Sequence, residues 1–562
     1  MQKCLKLILI TFISLCFILE LSAQKKQAHF DYFEYIGKDS LFDLEIDLGN
    51  EYFNPIISGF YPDPSICRKG DDYYMVNSSF AYFPGVPIWH STDLVNWKQI
   101  GHVLNRPSQL HLDGIRLSGG IYAPDIQYNI HNDTFYVITT NVDGIGNFVV
   151  KTKDPFLNDW SEPISLPQVG GIDPSLFFDD DGKAYLVHND ESPATPRWDG
   201  HRALWIHNYD TKTDRTFGER QLLLDGGVDK KTKPVWIEGP HIYKIKGTYY
   251  LMAAEGGTSV NHSEVILSSN NIKGPYLAYS NNPILTQRDL PGNRPNAITS
   301  VGHADLIQSS SNEWYAVFLG CRPYDGNYYN IGRETFLLPV QWKDGFPTIL
   351  DKGTVVPSVV KKEGLIRNTP NPLSGNFKWR EDFQEDTLAN EWVFIRTPKT
   401  QWWHFTDSQL QMDAIPQSIY DANNPAFIGR RQQHLNFEAE TKFSFIPRHS
   451  QDLSGLVCYQ NEVFNFVFGK TMRNGKIVLV VDRCEKNRKC IGEIVVPVEY
   501  LESSVCLKIR GNGGAYSFYA SFDDSKTWLA VAVDADAKNL STEVAGGFTG
   551  TILGLYTSSA NN

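Results

Sequence analysis

The chain has 562 residues, too many for one ordinary core, and its 41% hydrophobic and 21% charged content is that of a globular protein. A net charge of −12 lacks the cationic footprint of a nucleic-acid binder and would be repelled by an acidic membrane surface. With 13 Trp, 27 Tyr and 32 Phe the chain is aromatic-rich, which suits sugar faces and aromatic β-proteins alike.

Lys3 and Lys6 precede the apolar run Leu7–Leu19, and Leu21-Ser22-Ala23 puts a small residue before a cut at Gln24. Residues 1–23 therefore read as a signal peptide, and the mature chain is expected to be secreted or periplasmic. No later segment is long and apolar enough to span a bilayer, so no membrane insertion is expected after cleavage. Six cysteines follow the cut, and none forms a C-x-x-C pair, which argues against a zinc site or a dithiol redox centre. Cys484 and Cys490 flank a charged turn; a bridge across a hairpin and two free thiols are both open.

After an N-terminal segment, 24–49, one layout recurs five times over residues 50–349. A carboxylate beside a Pro or small residue leads into an aliphatic residue, and an aromatic strand follows ten to twelve residues later. The carboxylates are Asp63, Asp125, Asp173, Glu238 and Asp305, spaced by 62, 48, 65 and 67 residues. Asp72-Tyr73-Tyr74-Met75-Val76 and Thr248-Tyr249-Tyr250-Leu251-Met252 are two of the partner strands. Short turns such as Lys246-Gly247 join each pair, which is hairpin chemistry. A hairpin unit repeated five times must bury its faces against its neighbours, so the pattern predicts an all-β, five-bladed β-propeller.

In such a fold the first strand of each blade lines the central channel, and carboxylates far apart in sequence meet there. The expectation is a ring of five. Glycosidic cleavage needs an acid for the leaving oxygen and a base or nucleophile on the other face. Glu238, the only Glu of the five and the longest in reach, suits the acid. Like charges around one channel would raise its pKa.

Gly59-Phe60-Tyr61-Pro62-Asp63-Pro64-Ser65-Ile66, Gly171-Ile172-Asp173-Pro174-Ser175 and Trp236-Ile237-Glu238-Gly239-Pro240-His241 resemble glycoside hydrolase family 43. So do Gly332-Arg333-Glu334-Thr335-Phe336 and Phe83-Pro84-Gly85-Val86-Pro87. The resemblance covers nearly all the mature chain. It implies an inverting enzyme with Asp63 as general base, Glu238 as general acid and Asp173 orienting the acid and adjusting its pKa. It implies a substrate-binding role for Arg333, with a salt bridge to Glu334 or to a channel carboxylate as the structural alternative. Phe80 and Tyr122 are candidate sugar-stacking walls. No cofactor is required for the hydrolysis, but the resemblance points to a structural calcium in the channel near His303, which would act through water because calcium prefers oxygen ligands.

Residues 350–376, with Pro357, Pro370, Pro372, Ser374 and Gly375, read as a linker. From 377 to 562 short strands and frequent turns predict a β-sandwich. This part resembles the concanavalin-like C-terminal domain of family 43 xylosidases and arabinofuranosidases, whose loop closes the active site; Phe548 matches its aromatic tip. Those relatives end in an aromatic strand that this chain lacks after Asn562. A matching stretch, Phe30-Asp31-Tyr32-Phe33-Glu34-Tyr35, stands at the other end, so residues 28–36 are expected to supply that strand to the sandwich.

The function implied is exo-acting release of non-reducing terminal α-L-arabinofuranosyl residues from plant cell-wall oligosaccharides or polysaccharides. β-D-xylosidase or dual activity is the alternative. Xylosidases of this group carry Glu-Trp before Phe-Pro-Gly and a Trp at the Tyr122 position, where this chain has Ala81-Tyr82 and Tyr122. An invertase-like enzyme would show Asn-Asp-Pro and Glu-Cys, which are missing at Asp63 and Glu238. A non-catalytic carbohydrate-binding propeller would be expected to have lost one of the three carboxylates.

Overall fold

The computed structural model describes residues 26–365 and 373–560. The expected signal peptide and Pro370 and Pro372 of the expected linker lie outside the described residues. The fold is all-β, a five-bladed propeller joined to a concanavalin-like sandwich. No helix among the described residues is long and apolar enough to cross a membrane.

Each blade is an antiparallel meander. The innermost strands are Ser65–Lys69, Gly120–Asn129, Ile172–Phe178, Glu238–Ile245 and Thr299–Gln308. Their hairpin partners are Asp72–Val76, Thr134–Val142, Ala184–Glu191, Thr248–Glu255 and Trp314–Cys321. The last blade has three strands in its sheet, ending on Arg333–Pro339. The chain ahead of the first blade completes it: Ile57 bridges Thr335, and their backbone N–H and C=O groups exchange hydrogen bonds. That contact closes the ring and leaves Arg333 beside the first blade.

The sandwich takes strands from the whole chain. Gln27–Gly37 lies inside its first sheet, antiparallel to Asn436–Ser444 on one side and to Gln409–Asp413 and Phe377–Glu381 on the other. A register shift between Phe30 and Tyr32 lets the strand bury Phe30 together with Phe33 and Tyr35, and Phe33 meets Trp379 and Trp392 edge-on. The second sheet ends on Tyr82–Phe83, a propeller segment that pairs with Val393–Ile395. A single core runs from Phe60, Phe80 and Tyr82 into Phe427, Phe466 and Phe518. Apolar burial of this extent drives association of the two domains. Buried Arg322 adds a polar joint, with Glu334 at 2.6 Å and Asp39 of the N-terminal segment at 2.9 Å. The six described cysteines are free; across their hairpin Cys484 faces Arg488 and Cys490 faces Asp482.

Candidate active site

The innermost strands share one irregularity. Asp63, Ala123, Asp173, Gly239 and His303 all have positive φ, at 53°, 22°, 53°, 55° and 51°. In blades two to five the ladder register slips there. A bulge of this kind inserts a residue and re-aims its side chain. The left-handed backbone costs a non-glycine residue about 1–3 kcal/mol, a strain typical of functional positions. Only glycine fits at 239, where a Cβ would come within 2.8 Å of His303 Nε2.

The expected ring of five carboxylates is corrected by this geometry. Asp63 and Asp173 occupy the bulge position, and Glu238 stands one residue before it. Asp125 and Asp305 lie two residues beyond it, aligned instead with Ser65, Ser175 and His241. They brace the blades. Asp305 accepts hydrogen bonds from Ile66 N and Tyr243, Asp125 from Gln127 and Leu176 N, and the single Ser65 hydroxyl proton lies between them, 2.9 Å from Asp305 and 3.1 Å from Asp125. Asp63, Asp173 and Glu238 converge and are only 6%, 5% and 8% exposed.

The environment drives these three groups apart. Burial alone would raise the Asp63 carboxyl, but Arg333 Nη1 donates to it at 2.8 Å and the Ser78 hydroxyl at 2.5 Å, and the net result is a pKa below the usual carboxylate value. Burial raises Glu238 well above its ordinary value, and the charges of Asp173 and Asp63 raise it further. Asp173 is also raised by burial and by Asp63, while the Gly239 N–H donates to its Oδ2 at 3.1 Å. The surroundings thus favour the ionised form of Asp63 and the protonated forms of Glu238 and Asp173, a separation of the kind that base and acid chemistry uses.

Arg333 takes the channel partner of its two structural alternatives, because Arg322 occupies Glu334. Its guanidinium also lies 5.9 Å from the Phe80 ring centre and 5.6 Å from that of Phe548. Phe548 enters from the sandwich, anchored by its N–H to Ser118 Oγ at 3.0 Å. Its ring lies parallel to Phe80 at 6.4 Å and edge-on to Tyr122 at 5.8 Å. Phe80, Tyr122 and Phe548 therefore make one aromatic wall built by both domains. Tyr122 is fixed by a 2.5 Å hydrogen bond to Ser118 O.

The chain matches the family model "Glycosyl hydrolases family 43" over residues 52–347. It belongs to glycoside hydrolase family 43. Residues 380–562 match "Beta xylosidase C-terminal Concanavalin A-like domain". A "Non-reducing end alpha-L-arabinofuranosidase" of Bacteroides ovatus is 38% identical over 537 residues, 92% of this chain and 93% of that one. A "Xylosidase/arabinosidase" of Butyrivibrio fibrisolvens is 36% identical over 518 residues, covering 90% and 95% of the two chains. A solved "GH43_12 retrieved from capybara gut metagenome" superposes with a TM-score of 0.87 at 42% identity, covering 95% of this chain and all of that one. The protein is a glycoside hydrolase.

Residue-type reasoning missed several groups of this family 43 site. Ser78 follows the first hairpin in an unremarkable Asn-Ser-Ser run, yet it bonds Asp63 and accepts the Ala123 N–H at 2.7 Å. Thr258, in the Gly256-Gly257-Thr258 loop, places its hydroxyl 3.5 Å from Glu238 Oε1. His303 is buried with Nδ1 3.7 Å from Asp63 Oδ1, and burial lowers its pKa to about 4, so it is neutral at pH 7. A separate group suits a cation. Asp125, His241 and Asp305 are buried with ligand atoms within 4.8 Å of one another, and His303 is not among them. Two carboxylates and an imidazole fit manganese or zinc directly; calcium, which takes oxygen ligands, would be held by Asp125 and Asp305 and meet His241 through water.

Proposed function

We propose that this family 43 enzyme releases non-reducing terminal α-L-arabinofuranosyl residues from plant cell-wall xylan- or arabinan-type glycans, with inversion. The observation that carries the reading is the opposed pair, Asp63 held ionised by Arg333 and Ser78 and Glu238 held protonated, under an aromatic lid from the second domain. A lidded pocket of this kind takes a chain end rather than a chain middle.

Asp63 removes a proton from water as the water attacks the anomeric carbon. Glu238 gives its proton to the departing glycosidic oxygen on the opposite face. Asp173 positions and tunes Glu238 through its charge and through Gly239, which it holds by the backbone N–H. Arg333 keeps Asp63 ionised and presents its remaining donors to sugar hydroxyls, with Phe80, Tyr122 and Phe548 as apolar walls. A cation held by Asp125, His241 and Asp305 would neutralise two buried carboxylates and stiffen the channel. The hydrolytic steps use the side chains named above. With residues 1–23 read as a leader, the reaction takes place outside the cytoplasm.

Tyr122 and Ala81-Tyr82, together with the arabinofuranosidase among the relatives, favour arabinose. The xylosidase/arabinosidase relative, and a "Beta-xylosidase" of Bacillus subtilis that is 34% identical over 546 residues, support dual activity as the second reading. The test compares kcat/KM on aryl α-L-arabinofuranoside and aryl β-D-xyloside. Higher turnover of the arabinoside is expected; xyloside turnover far in excess would overturn the preference.

A further inference from the structure

The sandwich carries a second concavity that shares no lining residue with the carboxylate pocket. Strands Lys476–Glu485, Phe464–Arg473, Leu453–Asn461 and Ile552–Ser558 lie side by side in its second sheet. Successive side chains point to opposite faces. Leu456, Phe468, Val481 and Leu555 share a row and face the other sheet, where the Phe468 ring meets Phe518 at 5.7 Å. Thr471, Val480, Asp482 and Tyr556 therefore take the outer face. Such a face is ordinarily flat. Here Tyr420, Gln451 and Arg488 wall it into a cavity of about 480 Å³, within the range of small-ligand sites.

The charges in that cavity are arranged unevenly. Asp482 is buried, and Arg473 Nη2 holds both its oxygens at 2.9 and 3.1 Å. Arg473 is further occupied by Glu493 at 3.2 Å. Arg488 is different. Its side chain is 57% exposed, its one ion pair among the described residues is to Asp482 at 3.9 Å, and its guanidinium lies 5.2 Å over the Tyr420 ring. A separation of 3.9 Å is too long for a hydrogen bond, so beyond its contact with Tyr420 the arginine keeps donors for a ligand. Arg473 is thus spent on Asp482 and Glu493, and Arg488 is the lining cation left to meet a ligand. An arginine resting over a tyrosine, with donors to spare, offers a planar fork for a carboxylate, and the uncovered part of the tyrosine ring lines the cavity beside it.

We propose that this cavity binds a saccharide residue bearing a carboxylate, a uronic acid, with the sugar ring against Tyr420 and the carboxylate on Arg488. It goes beyond the reading of the propeller pocket. It would hold the enzyme on glycans that carry acidic branches while the other site trims pentoses.

Affinity electrophoresis of the full chain tests it. Retardation is measured in gels containing glucuronoxylan and in gels containing the same polymer with its uronates reduced to neutral sugars. Wild type should bind the native polymer about tenfold more tightly than the reduced one, the worth of one charge-assisted contact. Arg488→Ala and Tyr420→Ala should abolish that difference while leaving aryl-pentoside hydrolysis at the wild-type level. Arg488 is exposed, so its truncation spares the fold. Equal retardation by both polymers, or wild-type retardation of Arg488→Ala, would overturn the proposal. So would competition by inorganic phosphate at concentrations where free glucuronate has no effect. Polymer-end binding in the propeller pocket cancels between the two gels, and failure of the pentosidase reading would be seen separately in the aryl-pentoside assay.

Discussion

Ser78→Ala removes one hydrogen bond from the side chain proposed as the base and leaves its ion pair intact. The Ser78 hydroxyl donates to Asp63 Oδ2 at 2.5 Å inside a buried site. A hydrogen bond to a charged group contributes about 1.5–3 kcal/mol, and 1.36 kcal/mol corresponds to about one pKa unit. Loss of the bond should therefore raise the Asp63 pKa by about 1–2 units. Asp63 starts below the ordinary carboxylate value because Arg333 remains 2.8 Å away. A base must be ionised to act, so the acidic limb of the kcat/KM profile should move to higher pH by that amount, with the plateau changed far less. Stability should follow the same sign. A depressed carboxyl stabilises the fold above its unfolded pKa, and this contribution is lost as pH falls through the folded pKa. In the variant that loss begins at higher pH. Stability should also drop by about 1–3 kcal/mol at neutral pH, because the Ala123 N–H loses its acceptor. The assay is kcat/KM against pH on an aryl pentoside, paired with denaturant unfolding. An unmoved acidic limb in a folded, active variant would refute the assignment of that limb to Asp63.

Asp173→Asn removes a negative neighbour of Glu238, so the acid should lose its proton at lower pH and the alkaline limb of kcat/KM should move down; an upward shift would contradict the electrostatic account. Phe548→Ala opens the aromatic wall, so kcat/KM on small pentosides should fall about tenfold or more; loss of its two ring contacts, about 0.5–1.5 kcal/mol each, should lower stability by about 1–3 kcal/mol in denaturant unfolding. Phe33→Ala empties a fully buried position between Trp379 and Trp392, and should cost about 3–5 kcal/mol in denaturant unfolding although the residue lies near the start of the chain.

The fold was legible because each blade repeats one hairpin. Aromatic strands such as Asp72–Val76 and Thr248–Glu255 sit a short turn from an aliphatic anchor, and five copies point to radial packing. Phe30-Asp31-Tyr32-Phe33-Glu34-Tyr35 resembles the terminal strand of family 43 relatives, and Gln27–Gly37 lies within the sandwich as that resemblance implies. Asp63, Asp173 and Glu238 stood out by their motifs, and the structure brings them together. The heights of the carboxylates were misjudged for a definite reason. Counting from the acidic residues put five in one ring, whereas counting back from Ile66, Ile126, Leu176, Ile242 and Leu306 sets Asp125 and Asp305 two residues deeper. Ser78 and Thr258 gave no signal, since small hydroxyl residues in loops are common and only the tertiary approach gives these two a partner. Phe83 was read as part of a propeller motif, and its use as an edge of the sandwich depends on a pairing with Phe394 over three hundred residues away.

The leaving-group dependence of two variants tests the central assignment most directly. Hydrolysis of aryl pentosides is measured across leaving groups from dinitrophenol to unsubstituted phenol, in Glu238→Gln and Asp63→Asn. Without its acid, Glu238→Gln should approach wild-type kcat/KM on dinitrophenyl substrates, which need no protonation, and lose about 10²–10⁴-fold on phenyl ones. Asp63→Asn should lose activity on all of them alike, because the attacking water is unactivated whatever departs. Uniform loss in Glu238→Gln, or activity of Asp63→Asn on any member of the series at the wild-type level, would contradict the account.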